Sequence, residues 1–282
     1  MKIIDGFNLI SHKLSEAGAE SPAFDASELI SFVLGTPYSP ALDKEKELTK
    51  DQLSTLLAYT RRRAEGEPLQ YILGMWEFFG LPFKVGKGVL IPRDDTEVAL
   101  RASFAHLDKT KNPKILDLCA GSGTLAVTLK KLYPESEVTA VELSADAFFY
   151  LKENASLNNV HINLINGDIF NVYKDFEDSY FDLIISNPPY LTSDELKSMQ
   201  KELYFEPSLA LDGGEDGLDF YRRIIPLYTP KLKAGGQLIF ELDGSEAEYT
   251  AALMTAENYK NIEIFDDLGG VHRAIKGTLF EV

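Results

Sequence analysis

The feature that most limits how this chain can fold is a rhythm that begins at Pro113. Short apolar runs alternate with amphipathic stretches from there to the end of the sequence. Lys114-Ile115-Leu116-Asp117-Leu118 reads as a strand, and a glycine-containing turn leads from it into a helix over 124–133. Runs at 136–143, 161–167, 180–186 and 235–242 read as further strands. Helical segments separate them, one over 145–158 with Ser144 as its cap and another near 218–233. Strands alternating with helices predict an α/β fold whose mostly parallel sheet is covered on both faces. The last two runs, 262–267 and 272–280, are joined by a short turn at 268–271 and predict an antiparallel pair at the sheet edge.

The first part of the chain lacks this rhythm. Leu29, Ile30, Phe32, Val33 and Leu34 recur at helical spacing, and Gly35 follows as a stop signal. Thr49 is placed to cap a helix that runs to Gly66. Three or four short helices are expected. The aromatic stretch 76–91 reads as a hairpin, with turns at Gly80-Leu81-Pro82 and Gly86-Lys87-Gly88. The expected organisation is a helical domain over 1–74, a β-hairpin connector over 75–95 and an α/β domain over 96–282. Arg61-Arg62-Arg63 reads as the solvated end of a helix. His161 and His272 read as surface or strand-end residues.

Composition narrows the function. The 282 residues are 45% hydrophobic, which supports a packed core. No apolar run approaches the roughly 18–20 residues a membrane helix needs, and no membrane association is expected. The amphipathic start carries Asp5 and His12 and makes a poor signal peptide. The single cysteine, Cys119, excludes an internal disulfide and fits a reducing compartment, so the expected location is the cytoplasm. The scattered His and Cys give no metal-ligand spacing. The net charge is −16, which disfavours general nucleic-acid binding. It is uneven: residues 1–95 hold 11 basic and 14 acidic side chains, whereas residues 96–282 hold 17 and 30.

Asp117-Leu118-Cys119-Ala120-Gly121-Ser122-Gly123 lies between the first strand of the rhythm and its helix. Glycines there let the backbone turn sharply and approach a ligand. Glu142 closes the next strand, where a carboxylate meets ribose hydroxyls in doubly wound nucleotide folds. The turn lacks full dinucleotide spacing, and an acid opens it. That repels phosphate and suits a cation or an amino group. S-adenosylmethionine has a sulfonium, an ammonium and no phosphate. The third strand ends Asn166-Gly167-Asp168-Ile169-Phe170, where Asp168 can accept from an adenine amine and Ile169 or Phe170 can lie against the ring. These stretches together resemble the class I methyltransferases.

The fourth strand ends Ser186-Asn187-Pro188-Pro189-Tyr190. Residues leaving the carboxyl end of such a strand point into the ligand crevice. Asn187 brings a side-chain carbonyl, and Pro188 brings a main-chain carbonyl on a stiff backbone. Two such acceptors suit a planar NH2 group, with Tyr190 lying against its plane. Holding that nitrogen in line with a methyl donor is mainly a proximity effect and needs no strong base. The motif by itself is compatible with an adenine or an amide nitrogen.

The stretch 67–100 (EPLQYILGMWEFFGLPFKVGKGVLIPRDDTEVAL), the helical N-terminal domain and the run EPSLALDGGEDGLDFYRRI that starts at Glu206 resemble the HemK-type release-factor glutamine methyltransferases. The resemblance covers nearly the whole chain. It implies a seven-stranded Rossmann-like class I methyltransferase sheet with an antiparallel edge strand, preceded by a helical substrate-recognition domain. The implied reaction is methylation, by S-adenosyl-L-methionine, of the glutamine side-chain N5 in the Gly-Gly-Gln motif of bacterial-type peptide chain release factors. S-adenosyl-L-homocysteine is the product, no direct nucleic-acid contact is expected, and a monomer is expected. Asn187, Pro188, Pro189 and Tyr190 are then the catalytic and substrate-binding residues. Asp117, Cys119, Ala120, Gly121, Gly123, Glu142, Leu143, Asp168, Ile169, Phe170 and Asn187 form or contact the cofactor site, and 91–97 lies close to it. The acidic run 212–219 is read as a structural cap over the site. The alternatives are a ribosomal-protein glutamine methyltransferase, a nucleic-acid adenine-N6 methyltransferase and a non-catalytic cofactor-binding module. Cys119 stands where relatives often carry glycine, and its small thiol is expected to fit with a negative φ. Glu241-Leu242-Asp243-Gly244 also departs from the family's usual pattern.

Overall fold

The computed structural model describes residues 1–43 and 45–280. Lys44 and the last two residues of the expected 96–282 domain lie outside the described residues. The chain divides into two compact units, one of residues 1–75 with 200–205, the other of 76–199 with 206–282.

The first unit is helical: α1 (Ile3–Glu16), α2 (Pro22–Leu34), α3 (Pro40–Asp43), α4 (Lys50–Ala64) and α5 (Leu69–Leu73). On α1 the buried positions are Ile3, Gly6, Ile10 and Leu14, one stripe at helical spacing. α2 stops at Gly35, whose φ of 69° is the left-handed geometry glycine adopts freely. Thr49 caps α4 by accepting from the Gln52 N–H, and the Gln52 side chain returns to the Thr49 N–H. Among the described residues five helices form rather than three or four, because α3 and α5 are single turns that periodicity does not reveal.

The expectation for the arginine run needs correction. Arg63 is only 7% exposed. Its Nε donates to Asp25 Oδ2 at 2.7 Å and its Nη2 to Glu202 Oε1 at 2.5 Å. Arg62 makes a two-pronged pair with Glu67 at 2.6 and 2.7 Å. Both arginines lock the end of α4 to neighbouring chain.

The second unit opens with a hairpin, β1 (Met75–Phe78) and β2 (Leu81–Lys84). Phe79 and Gly80 make its two-residue turn, with φ of 51° and 74°. Positive φ at both positions matches the twist of the strands. The turn therefore lies ahead of the expected Gly80-Leu81-Pro82, and Leu81 and Pro82 belong to the strand. Then follow α6 (Thr96–Ala102), α7 (Phe104–Leu107), β3 (Lys114–Leu118), α8 (Thr124–Leu132), β4 (Glu137–Glu142), α9 (Ala145–Leu157), β5 (Asn163–Asn166), α10 (Ile169–Val172), β6 (Phe181–Ser186), α11 (Asp219–Tyr228), β7 (Leu232–Glu241), α12 (Ala247–Ala256), β8 (Tyr259–Asp266) and β9 (His272–Leu279).

Seven strands form one sheet in the order β5-β4-β3-β6-β7-β9-β8. Neighbours from β5 to β7 are parallel, and β9 runs antiparallel between β7 and the edge strand β8. Alternate residues of each strand enter different cores. Ile115 and Leu183 join one cluster with Leu125, Val127 and Leu151, from α8 and α9. Leu116 and Ile184 join the other with Tyr221, Ile224 and Met254, from α11 and α12. Both faces are covered, which is why these strands read as continuous apolar runs. Cutting fully buried Leu116 or Ile184 to Ala should cost about 2–5 kcal/mol. After β3 the chain proceeds to β4 on one side, and β6 lies on the other. The carboxyl ends of β3 and β6 flank this switch point, where open α/β sheets bind ligands.

Candidate active site

Four strand ends bring the polar residues of the site together. β3 carries Asp117, β4 ends in Glu142, Asp168 follows β5, and Asn187 follows β6. Glu142, Asp168 and Asn187 line one chamber of about 300 Å3, together with Cys119, Gly121, Leu143, Ile169, Phe170 and Pro189. That volume is at the small end of ordinary ligand sites. A smaller chamber of about 40 Å3 is lined by Asp117, Cys119, Ala120, Gly121 and Asn187, with Thr96 and Arg93 opposite. Cys119, Gly121 and Asn187 line both, so the two are neighbouring parts of one cleft.

Gly123, Pro188 and Tyr190 line neither chamber. Gly123 begins α8 with φ of 87°, and a Cβ there would stand 2.5 Å from Leu151 Cδ1, so its bareness lets α8 and α9 close together. The Tyr190 hydroxyl donates to Glu241 Oε1 at 3.4 Å. The acidic run packs against the backbone of the same motif. A Cβ on Gly213 would come within 2.6 Å of Tyr190 Cα, and one on Gly217 within 2.5 Å of its carbonyl oxygen. Asp216 is held by both Nη atoms of Arg222, at 2.8 and 2.6 Å.

The acids have distinct settings. Asp117 is 1% exposed. Its Oδ2 accepts from the Ala126 N–H at 3.0 Å, while its Oδ1 is buried with no hydrogen-bond partner. Burial, with some help from nearby Glu142, pushes its pKa up to about 8 against the Ala126 hydrogen bond. Glu142 accepts from the Gly121 and Ser144 N–H groups, each at 2.7 Å. Burial still holds its carboxyl above the ordinary range. Asp168 caps α10, accepting from the Phe170 N–H and the Asn171 amide at 2.8 Å. Arg223 lies over the Phe170 ring, 3.3 Å from its centre.

Cys119 corrects the backbone expectation. Its φ is 59°, a left-handed geometry uncommon for a residue with a Cβ. The turn demands this conformation, which a glycine would adopt without strain. Burial raises the thiol pKa, which leaves it protonated and a poor nucleophile.

Sequence reasoning missed several supporting residues. Asn154 on α9 accepts from the Lys84 N–H and donates to Lys84 and Ser122 carbonyls, tying the hairpin to the glycine-containing turn. Glu206 accepts from the Ile91 N–H at 3.0 Å and pairs with Arg93. Thr96 accepts from Asn187 Nδ2 at 3.4 Å. An Asn in a helix and an acid in a loop carry no sequence signal for these roles. Among the described residues no group of three His, Cys, Asp or Glu is placed to hold a metal ion, and no helix is long and apolar enough to cross a membrane.

The sheet order, the acid-lined cleft at its switch point and the Asn-Pro-Pro-Tyr strand exit define a class I methyltransferase. A solved methyltransferase from Pyrococcus furiosus shares this fold, with a TM-score of 0.53 at 17% identity over 83% of this chain and 100% of that one. Residues 7–74 match the family model described as PrmC N-terminal domain, and residues 93–211 match that of the methyltransferase small domain. The release factor glutamine methyltransferase of Geobacter sulfurreducens is 37% identical over 94% of this chain and 93% of its own. That of Thermodesulfovibrio yellowstonii is 35% identical over 98% and 97%. The chain belongs to the release factor glutamine methyltransferase family.

Proposed function

We propose that this chain transfers a methyl group from S-adenosylmethionine to the side-chain N5 of the glutamine in the Gly-Gly-Gln motif of peptide chain release factors. The observation that carries the reading is Asn187. It borders both chambers of the cleft while its Nδ2 is engaged by Thr96, which leaves Oδ1 as the end offered to a substrate NH2.

The cleft suits the cofactor by its donor set. The unpartnered Asp117 Oδ1 is a buried acceptor beside the smaller chamber, matched to an ammonium or another N–H donor. Glu142 has lone pairs to spare beyond its two backbone bonds, matched to ribose hydroxyls. Asp168 and the apolar walls from Leu143, Ile169 and Phe170 suit an adenine. When bound, S-adenosylmethionine supplies an electrophilic methyl on a sulfonium. The chain supplies position. Asn187 Oδ1 and the Pro188 carbonyl take the two hydrogens of the glutamine amide and aim its nitrogen into the cleft. Pro188 and Pro189 stiffen the backbone that holds this geometry. The product nitrogen, once it carries the methyl group, loses a proton readily, so no strong base is needed. The helical residues 1–74 serve as the substrate-recognition domain, 75–95 as the connector and 96–282 as the methyltransferase domain.

Incubation with methyl-labelled S-adenosylmethionine tests the reading. Release factor should take up label, whereas the same factor without its Gly-Gly-Gln glutamine, ribosomal protein and DNA should not. Label in DNA or in the glutamine-less factor would sink it.

A further inference from the structure

Two neighbouring arginines on α11 keep different company. Arg222 is paired with Asp216 at 2.6 Å and lies 3.6 Å from Asp219. Arg223 pairs with no carboxylate among the described residues. It is exposed, and among the described residues it is the one positively charged side chain lining the larger chamber of the cleft. In a chain with 28 basic and 44 acidic side chains, a cation without an acid has its charge and its N–H groups free for a ligand.

The position of Arg223 is well defined. Its guanidinium carbon stands 3.3 Å from the centre of the Phe170 ring. So close an approach requires the planar group to lie flat on the ring, which leaves its N–H edge free to donate in its own plane. α11 is fastened to the same stretch of chain. The Tyr228 hydroxyl donates to the Ile169 carbonyl at 2.7 Å, and the Phe220 and Phe170 rings meet with centres 5.6 Å apart. Phe220 and Arg223, three residues apart, share a helix face. Asp168, Ile169, Phe170, Phe220 and Arg223 therefore form one wall of the chamber.

That wall has acceptors to spare and few donors. The Phe170 N–H is already engaged by Asp168 Oδ1, and the Asn171 amide by Oδ2, both at 2.8 Å. Each carboxylate oxygen keeps a further lone pair. Adenine offers an exocyclic amine that donates, flanked by ring nitrogens N1 and N7 that accept. A carboxylate reads the amine. A donor beside it is needed to read the flanking nitrogen.

We propose that Arg223 is a cofactor-binding residue that reads the adenine together with Asp168, donating to the ring nitrogen beside the amine that Asp168 accepts from. The proposal deepens the methyl-transfer reading and rests on its choice of cofactor. The pair also discriminates. A purine with oxygen in place of the amine would set an acceptor against Asp168 and leave that carboxylate without its donor. Stacking on Phe170 holds the guanidinium ready, so less side-chain freedom is lost when the ligand enters.

The test is calorimetry with S-adenosylhomocysteine, which has no sulfonium to repel the arginine, and with its 1-deaza and 7-deaza analogues. Each analogue replaces one flanking nitrogen by C–H. Wild type should bind one of the two roughly tenfold more weakly than the parent. Arg223→Met keeps a long stem against Phe170 but has no N–H. It should bind the parent about tenfold more weakly and no longer tell that analogue from it. Arg223→Lys keeps the charge without the planar fork and should fall between. A variant that merely loosened the wall would weaken all three ligands together and keep their ratio. Wild type that binds the three alike overturns the proposal, and this comparison needs no variant to fold. An Arg223→Met protein that keeps the wild-type ratio overturns it too. Wild type that does not bind S-adenosylhomocysteine overturns both the proposal and the cofactor on which it rests. Wild type that shows the ratio yet leaves release factor unmethylated upholds Arg223 and sinks the methyl-transfer reading alone.

Discussion

Asp25 of the helical unit and the acids around the cleft are buried in opposite ways. In the helical unit Asp25 is 4% exposed and lies directly against Arg63, whose other nitrogen holds Glu202. In the sheet unit Asp117, Glu142 and Glu241 are also buried, yet their side chains accept hydrogen bonds from backbone N–H groups and a hydroxyl. Asp117 Oδ1 and Glu241 Oε2 have no hydrogen-bond partner among the described residues. A buried acid with its own cation holds chain to chain and has little left to offer a ligand. A buried acid short of partners is costly until something supplies them. The contrast separates an element that sustains the fold from one poised for chemistry.

Removing the cation should produce the largest effect. Arg63→Ala strands Asp25 and should cost the helical unit about 3–5 kcal/mol, read from its denaturant midpoint, while cofactor affinity holds. An unchanged midpoint would break the contrast from the structural side.

Asp117 breaks or sharpens it from the other. Its pKa is raised from 3.8 to about 8 in the folded chain. Between those values the folded chain keeps a proton that the unfolded chain has lost. The stability it contributes is therefore fully present below pH 3.8 and is lost as pH rises through about 8. Asp117→Asn keeps an acceptor for the Ala126 N–H and removes the titration. Its unfolding free energy should exceed that of wild type at pH 8 by a few kcal/mol and match it near pH 4. A wild-type pH dependence in the variant would contradict the assignment.

Glu142→Gln should separate binding from folding. Calorimetry should show cofactor Kd weakened roughly 10- to 100-fold, about 1.4–3 kcal/mol, with the melting temperature near wild type. The smallest effect belongs to Cys119. Glycine there exchanges left-handed strain for backbone entropy, so Cys119→Gly should change unfolding free energy by no more than about 1 kcal/mol. Cys119→Val, β-branched at the same φ of 59°, should be clearly worse.

Local chemistry made much of this legible in the sequence. The apolar runs of β3 to β7, alternating with helical stretches, pointed to the sheet, Ser144 and Thr49 to helix starts, and the chain order of Asp117, Glu142, Asp168 and Asn187 to the strand ends that meet at the cleft. What escaped are contacts set by tertiary neighbourhood. Arg63 meets Glu202 across 139 residues of chain, and Asn187 meets Thr96 across 91. Glu241 faces Tyr190 only because β7 pairs with β6, a neighbour relation no local pattern encodes. The turn at Phe79-Gly80 escaped because positive φ at a phenylalanine runs against local preference.

Peptide mass spectrometry of a release factor incubated with S-adenosylmethionine and enzyme tests the central claim most directly. The prediction is a single methyl group on the side chain of the Gly-Gly-Gln glutamine with wild-type enzyme. Asn187→Ala should lose at least about 100-fold of that rate while binding cofactor within about threefold of wild type. A methyl group on any other residue, or an Asn187→Ala enzyme that methylates the glutamine at the wild-type rate, would contradict it.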